Sequence, residues 1–546
     1  MDKADRIWTG GHFLTLDPRA PEVTALAARD GRLVAVGSDA EIEALAGPQT
    51  EHMRMRGRFA MPGLIESHTH ALWGACRDLF EVYVGYRASI DSLLRATAER
   101  AAQLAPGHWI NGGPWRADMR QDMGQSPRDL LDRIAPAHPV ALSDVTQHSL
   151  WCNSLALDRA GIGADADAHG SMVERDMHGR PTGILHESAC APVRRQTART
   201  EADLARAVGH FTAYFASLGY TAFKEPMATE ADLAAYAAAD RAGLLTQHMA
   251  AHISCFSPLG PDTLSLAEMT RLRRDYATPN LRTGFAKLFL DGVAPSFTAS
   301  FLDPYTAADY DAAGHCPDDT LLMQPEDLNR VVTELDAAGF VVKMHAVGDN
   351  AVRRGLDAIA AARRANGHSG PRHELAHCAF VAKEDVPRFA ALNAVAEVSP
   401  KLWMPNAATP AQRAVLGDER LDRCHPIRDL LQAGADVIFG TDWPAAAPDA
   451  NPWTGLAGML TRSDPSGRFA GHVGRQQAIT LDDALPLFTV NAARALGMAG
   501  ETGQLRPGAW ADFIVLDRDI RQMTPDEIAG CLPRETVWKG QSVHCG

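Results

Sequence analysis

The chain has 546 residues, 46% of them hydrophobic, and a formal charge of -14 from 67 acidic and 53 basic side chains. That balance argues against a nucleic-acid surface, which needs clustered basic residues, and with no run of 18 apolar residues there is no candidate membrane-spanning helix. Nine cysteines are scattered without a CxxC pair and the opening MDKADRIWTGG lacks the apolar stretch of a secretory signal, so the expected setting is a reducing cytoplasm.

From Ile7 to about Gly57 the sequence reads as short strands joined by turns. FLTLDP, VTALAARDGRLVAVG and the Asp-Gly and Gly-Ser dipeptides predict hairpins. The tail has the same texture, in GQLRPGAWADFIVLDRD and ETVWKGQSVH. The two ends therefore predict one small β domain from residues 1–58 and 500–546, flanking an α/β middle at 59–499. In that middle, helical periodicity in stretches such as EADLARAVGHFTAYFASLG, QPEDLNRVVTELDAAG and NAVRRGLDAIAAARRA alternates with strand-like runs. The runs are the one before His68, then GYTAFKEP, QHMAAHISC, RTGFAKLFLDG, FVVKMHAVGD, HELAHCAF, NAVAEVSP and ADVIFGTDWP. Several helices end in Gly just before the next strand, as C-caps do. Such alternation implies a parallel sheet, and eight strands favour a closed (β/α)8 barrel over an open one. The stretch from about 76 to 200, with WINGGPW, PVALSDVTQHSLWCNS and HGSMVERDMHGRPTGILHE, breaks the rhythm and is expected to be an insertion over the barrel mouth.

His68 and His70 close the string PGLIESHTH. Residues i and i+2 of a strand share a face, so two imidazoles at a strand end can grip one cation. Lys287, His345, His377 and Asp442 follow, each in or just after a strand-like run. Ligands scattered one per strand end are what a metal site at a barrel mouth needs, and a divalent metal takes neutral imidazoles and carboxylates. Asp442, in VIFGTDWP, is a buried-looking carboxylate that requires a partner. Taken singly, each of these is equally an ordinary core or capping residue; taken in barrel order they point to a metal.

Lys287 lies inside the apolar run AKLFLDG, where a charged amine is costly unless neutralised or paired. Carboxylation by carbon dioxide would turn it into a carbamate able to bridge two metals; pairing with Asp291 is the plain alternative, and Lys224 and Lys343 are rivals for the role. His148, in SDVTQHSLWCNS, either reaches the pocket from the insertion or caps a local turn. Trp109, Trp115, Trp151, Trp403 and Trp443 lie near expected loops and either line an aromatic pocket or pack. Asp349 reads as a turn or helix cap.

PGLIESHTH, AKLFLDG, MHAVGDNAV, FGTDWP and the return segment TVNAARALGMAGETGQLRPGAWADFIVLD together resemble the amidohydrolase superfamily. Within it, the insertion pieces WINGGPW, HSLWCNS and RDMHGRPTGILHE resemble the amidohydrolase 3 group of YtcJ-like hydrolases and N-substituted formamide deformylases. The resemblance implies a distorted (β/α)8 barrel with a β-sandwich from both termini and one or two divalent metals, usually zinc. It implies a first metal on His68, His70, Lys287 and Asp442, and a second on N6-carboxylated Lys287, His345 and His377. It favours Lys287 over Lys224, because GYTAFKEP matches an earlier strand that carries no ligand. Two departures stand out: Glu66 where the family commonly has Asp, and Ala376 where it usually has Glu.

The expected activity is metal-assisted hydrolysis of a C–N bond, amide or N-formyl, in a small organic substrate. Asp442 would move the proton and His148 would steady the oxyanion. A lyase, isomerase or decarboxylase on the same fold, and a non-catalytic metal-binding protein, are the alternatives. A homodimer is the default assembly.

Overall fold

The eight strand-like runs form one eight-stranded sheet in the computed structural model, which describes every residue except 1–2, 86–87, 145–148, 164–171, 257–262, 309, 400, 402 and 446. The strands are β1 (Leu64–Glu66), β2 (Tyr220–Ala228), β3 (His248–Ser254), β4 (Leu281–Phe289), β5 (Val341–Ala346), β6 (Glu374–His377), β7 (Val395–Val398) and β8 (Asp436–Phe439). They pair in sequence order and all in parallel. Parallel neighbours need crossover connections, and the helices that follow β2, β3 and β5 supply them. Thr229 and Ser265 start two of these helices with capping boxes, in which side chain and backbone satisfy each other's orphan groups.

The first and last strands meet through backbone bonds at their C-terminal ends. Ser67 N–H donates to Phe439 O (2.9 Å), Asp442 N–H to His68 O (2.7 Å) and His70 N–H to Trp443 O (2.8 Å). This closure explains Gly440: a Cβ there would lie 2.3 Å from the Cβ of His68. Glu66 reinforces the seam, because one of its carboxylate oxygens accepts both His68 N–H and Thr441 N–H at 2.9 Å.

Inside the sheet the side chains form layers, as in closed barrels generally. Ile65, Ala222, Ala250, Phe285, Val395 and Ile438 make an apolar layer packed against Ala492, Ala493, Ala495, Leu496 and Met498. Two residues further along their strands, Lys224, His252, Lys287 and Glu397 replace them. Alternation along each strand carries the inward face from apolar to charged side chains.

The chain divides into two compact units, Met1–Ala71 with Val208–Gly546, and Leu72–Ala207. The first holds the barrel and two terminal sheets. One terminal sheet has four strands, Arg32–Gly37, Ala25–Arg29, Arg6–Thr9 and Glu51–Arg54 in spatial order. In the other, of six strands, Phe59–Pro62 pairs antiparallel with Phe513–Leu516, so both termini build it. Trp8, Phe13, Leu26, Phe513 and Val537 share one core.

The second unit is the stretch that broke the strand–helix rhythm. It carries its own six-stranded mixed sheet, whose members include Ile110–Trp115, Val140–Asp144, Ser149–Cys152 and Pro181–His186. Trp115 and Trp151 are buried here with Leu93, Leu131 and Ile184. Of the two readings of these tryptophans, packing is the one the structure shows: they are the centre of this unit's core. Among the described residues no helix is long and apolar enough to cross a membrane.

Candidate metal centre

His68, His70 and Asp442 converge at the C-terminal ends of β1 and β8, all three buried, with one ligand atom from each within 4.8 Å of the others. His68 Nε2 lies 3.5 Å and His70 Nε2 3.4 Å from the same oxygen, Asp442 Oδ1. The opposite ring nitrogens face carboxylates: His68 Nδ1 contacts Glu397 Oε2, and His70 Nδ1 lies 3.4 Å from Glu225 Oε1. An ionised carboxylate only accepts. For His68 the contact favours the proton on Nδ1 and leaves the Nε2 lone pair toward Asp442, whereas His70 has a carboxylate oxygen 3.4 Å from each of its ring nitrogens.

His345 and His377 form a second pair, with ring centroids 4.5 Å apart, and His377 is 4.9 Å from the ring of His68. His345 Nε2 is turned to Gly292 O at 3.2 Å, so Nδ1 is its other donor nitrogen. His377 Nδ1 bonds Ser399 Oγ at 2.9 Å, so Nε2 is its own.

Strand alternation alone does not aim every ligand. Leu375 faces the helix Asp349–Asn366, where a Cβ on Gly355 would meet it at 2.5 Å, and strict alternation would put His377 on that outer face. Positive φ angles at His377 (73°) and Cys378 (40°) turn it inward, and Asp442 has φ 56°. Such backbone is uncommon for residues other than glycine and collects at functional sites.

Lys287 is buried on β4, its amine 4.7 Å from the Phe289 ring centre, and among the described residues it makes no ion pair. Its two rivals are fully engaged. Lys224 pairs with Glu374 and donates to Ala495 O (3.1 Å). Lys343 lies 3.2 Å from Glu374 and 3.1 Å from Glu397, and donates to Ser67 O at 2.7 Å. The alternative pairing of Lys287 with Asp291 does not form. Asp291 accepts backbone N–H groups from Ser300, Val347 and Gly348 at 2.8–3.0 Å and lies 3.7 Å from His345.

Burial dominates the titration of these groups. It lowers Lys287 to about 8, with the neighbouring charge of Lys343 adding to the effect. It drives His345 down to about 3 and holds His68 and His377 well below the ordinary histidine value. These three imidazoles are neutral, the form a metal binds. Burial also disfavours the charge on His70, but Asp442 and Glu225 outweigh it and raise that ring to about 9. His68 touches two carboxylates as well, yet the cations Lys343 and Lys287 offset them. Burial pushes Glu66 up to about 8.

The structure thus brings His68, His70 and Asp442 together as one donor set, with His345, His377 and Lys287 beside them. The donors fit a divalent cation: imidazole nitrogens and a carboxylate oxygen, preset in direction and held by buried partners. His148 lies outside the described residues. Asp349 is the first residue of the helix after β5 and not its cap, which is Gly348; its Oδ1 accepts Leu302 N–H at 2.8 Å and ties the β4 loop to that helix start. Sequence reasoning missed Glu225, Glu374 and Glu397. Their signal was the one used for Lys287, a charged residue inside an apolar run, in FKEP, HELAH and VAEVS.

Residues 55–544 match the family described as "Amidohydrolase family". The chain is 29% identical to Protein LONG AFTER FAR-RED 3 of Arabidopsis thaliana, over 94% of this chain and 87% of that protein. It is 27% identical to N-substituted formamide deformylase of Arthrobacter pascens, over 92% of each. Its fold superposes on an uncharacterized metal-dependent hydrolase from Pyrococcus horikoshii OT3 with a TM-score of 0.76 at 22% identity, covering 95% of this chain and 99% of that one.

Proposed function

The chain belongs to the amidohydrolase family, and from that premise we propose that it hydrolyses a non-peptide C–N bond, of the amide or N-formyl type, in a small organic substrate. One or two divalent cations would be held by His68, His70, Lys287, His345, His377 and Asp442; the nitrogen and oxygen donors suit zinc. The observation that carries this reading is the approach of His68 Nε2 and His70 Nε2 to one oxygen of Asp442. The formamide deformylase among its relatives supports the choice of bond. The scattered cysteines fit a cytoplasmic protein.

Bound there, a cation supplies Lewis acidity, bringing the pKa of water toward neutrality and polarising a carbonyl. Asp442 takes the proton of the attacking water and returns it to the leaving nitrogen, as general base and then general acid. Lys287 joins the set as a carbamate. Carboxylation needs the neutral amine, and a drop from 10.5 to about 8 makes that form roughly 300-fold more abundant at a given pH below 8. The neutral amine adds carbon dioxide and releases a proton, giving an anionic carbamate whose burial calls for a cation beside it.

The test is a panel of N-formyl and N-acyl amines assayed in oxygen-18 water. The expected result is label in the carboxylate product, activity abolished by chelation and restored by zinc, and a large loss in Asp442→Asn. Turnover without incorporated label, or full activity in Asp442→Asn, would overturn the proposal.

A further inference from the structure

Two glutamates that sequence reasoning passed over stand directly behind the HxH pair. Glu397, on β7, reaches past β8 to His68 Nδ1, and Glu225, on β2, lies 3.4 Å from His70 Nδ1. Each is itself anchored by a different kind of group. Glu397 Oε2 accepts from the Lys343 amine at 3.1 Å. Glu225 Oε2 accepts from the phenol of Tyr236 at 2.8 Å, from the helix Glu230–Arg241. All four anchoring side chains are buried.

We propose that Glu225 and Glu397 are positioning residues for the metal-binding imidazoles, Tyr236 and Lys343 holding them in turn. This rests on the reading of His68 and His70 as metal ligands. A free imidazole presents either nitrogen after a ring flip, and an acceptor at Nδ1 removes that choice. The carboxylate also raises the basicity of the nitrogen opposite. The two supports are unequal. Glu397 faces a cation, the Lys343 amine, besides His68, whereas the other donors to Glu225 are neutral, the Tyr236 phenol and Met227 N–H at 3.3 Å. Glu225 therefore contributes more to donor strength, and Glu397 more to the rigidity of the barrel.

The experiment uses the full-length metal-free protein and cobalt(II) as probe, reading the dissociation constant by chelator competition, the visible spectrum and the melting temperature before metal is added. For Glu225→Gln the expected result is cobalt bound about 10–100-fold more weakly, an altered spectrum and a near wild-type melting temperature. Tyr236→Phe should give a smaller loss in the same direction. Glu397→Gln should weaken cobalt binding and also lower the metal-free melting temperature, since it removes one of the two carboxylates that Lys343 pairs with. If that variant does not fold, Glu397→Gln with Lys343→Met removes the carboxylate without leaving the amine unpaired, and should still bind cobalt more weakly. Cobalt affinity within twofold of wild type in Glu225→Gln, or in whichever Glu397 variant folds, with an unchanged spectrum, would overturn the positioning role while leaving the metal site standing. Wild-type protein that binds no cobalt would overturn the metal reading itself.

Discussion

Two adjacent layers of the barrel interior treat charge in opposite ways. In the inner one, Lys224, Glu374, Lys343 and Glu397 form an unbroken alternation of cation and anion, each buried and each paired within the protein. At the strand ends, three neutral imidazoles, a protonated His70 and Asp442 crowd together beside Lys287, whose backbone is level with Lys343 but whose amine has an aromatic ring beside it and no ion pair among the described residues. Both layers are built from charged residues in apolar strands, so sequence alone ranks them alike. The difference teaches that a buried charge marks a ligand site only where its neighbours leave the charge uncompensated.

The sharpest way to break this comparison is to change a mouth carboxylate and compare it with an inner one. Asp442→Asn should lower turnover by about 10²–10⁴-fold, the range for a lost general acid–base, with the fold intact by circular dichroism. Glu374→Gln should do the reverse, costing about 3–5 kcal/mol of stability in urea denaturation by leaving Lys224 and Lys343 short of a partner. If both variants behaved alike, the two layers would not be distinct.

A ligand-linkage measurement sharpens the same point. Adding zinc at 100 times its dissociation constant should stabilise the wild type by about 2.7 kcal/mol. Asp442→Ala should lose most of that gain, whereas an inner-layer variant such as Lys224→Met should keep it, whatever its own stability.

The smallest effect is in the acid limb. Burial would raise the Glu374 carboxyl, but Lys224 and Lys343 outweigh it and hold the group well below its ordinary 4.5. Between the folded and unfolded values the unfolded chain binds the extra proton. The contribution is therefore complete above about 4.5 and is lost as the pH falls toward the folded value. Stability measured from pH 6 down to pH 3 should fall less steeply in Glu374→Gln than in wild type. Parallel slopes would show that the inner layer is not what holds Glu374 ionised.

Much of this molecule was legible in its sequence, for identifiable reasons. The eight strands were marked by runs ending in chemistry-bearing residues, and His68, His70 and Asp442 lay where β1 and β8 end. Local pattern could not reach what depends on closure. That Gly440 makes room for His68, or that Glu397 meets a histidine 329 positions away, follows only once β1, β7 and β8 share one wall. Positive φ at His377 overrides the alternation from which its direction would be read. The second unit was marked only as a break in the rhythm, at about 76–200, because its sheet is mixed, with short strands that pair both ways and so lack the strand–helix period.

The account turns on whether the mouth layer holds metal while the inner layer does not need it. The most direct measurement is elemental analysis of protein purified without chelator or nickel affinity resin, for wild type and for Lys287→Ala. About two metals per chain in wild type, falling clearly in the variant, is the result expected of a lysine-bridged pair. No metal in the wild type would contradict the central claim, and an equal metal content in both proteins would reduce Lys287 to a structural residue.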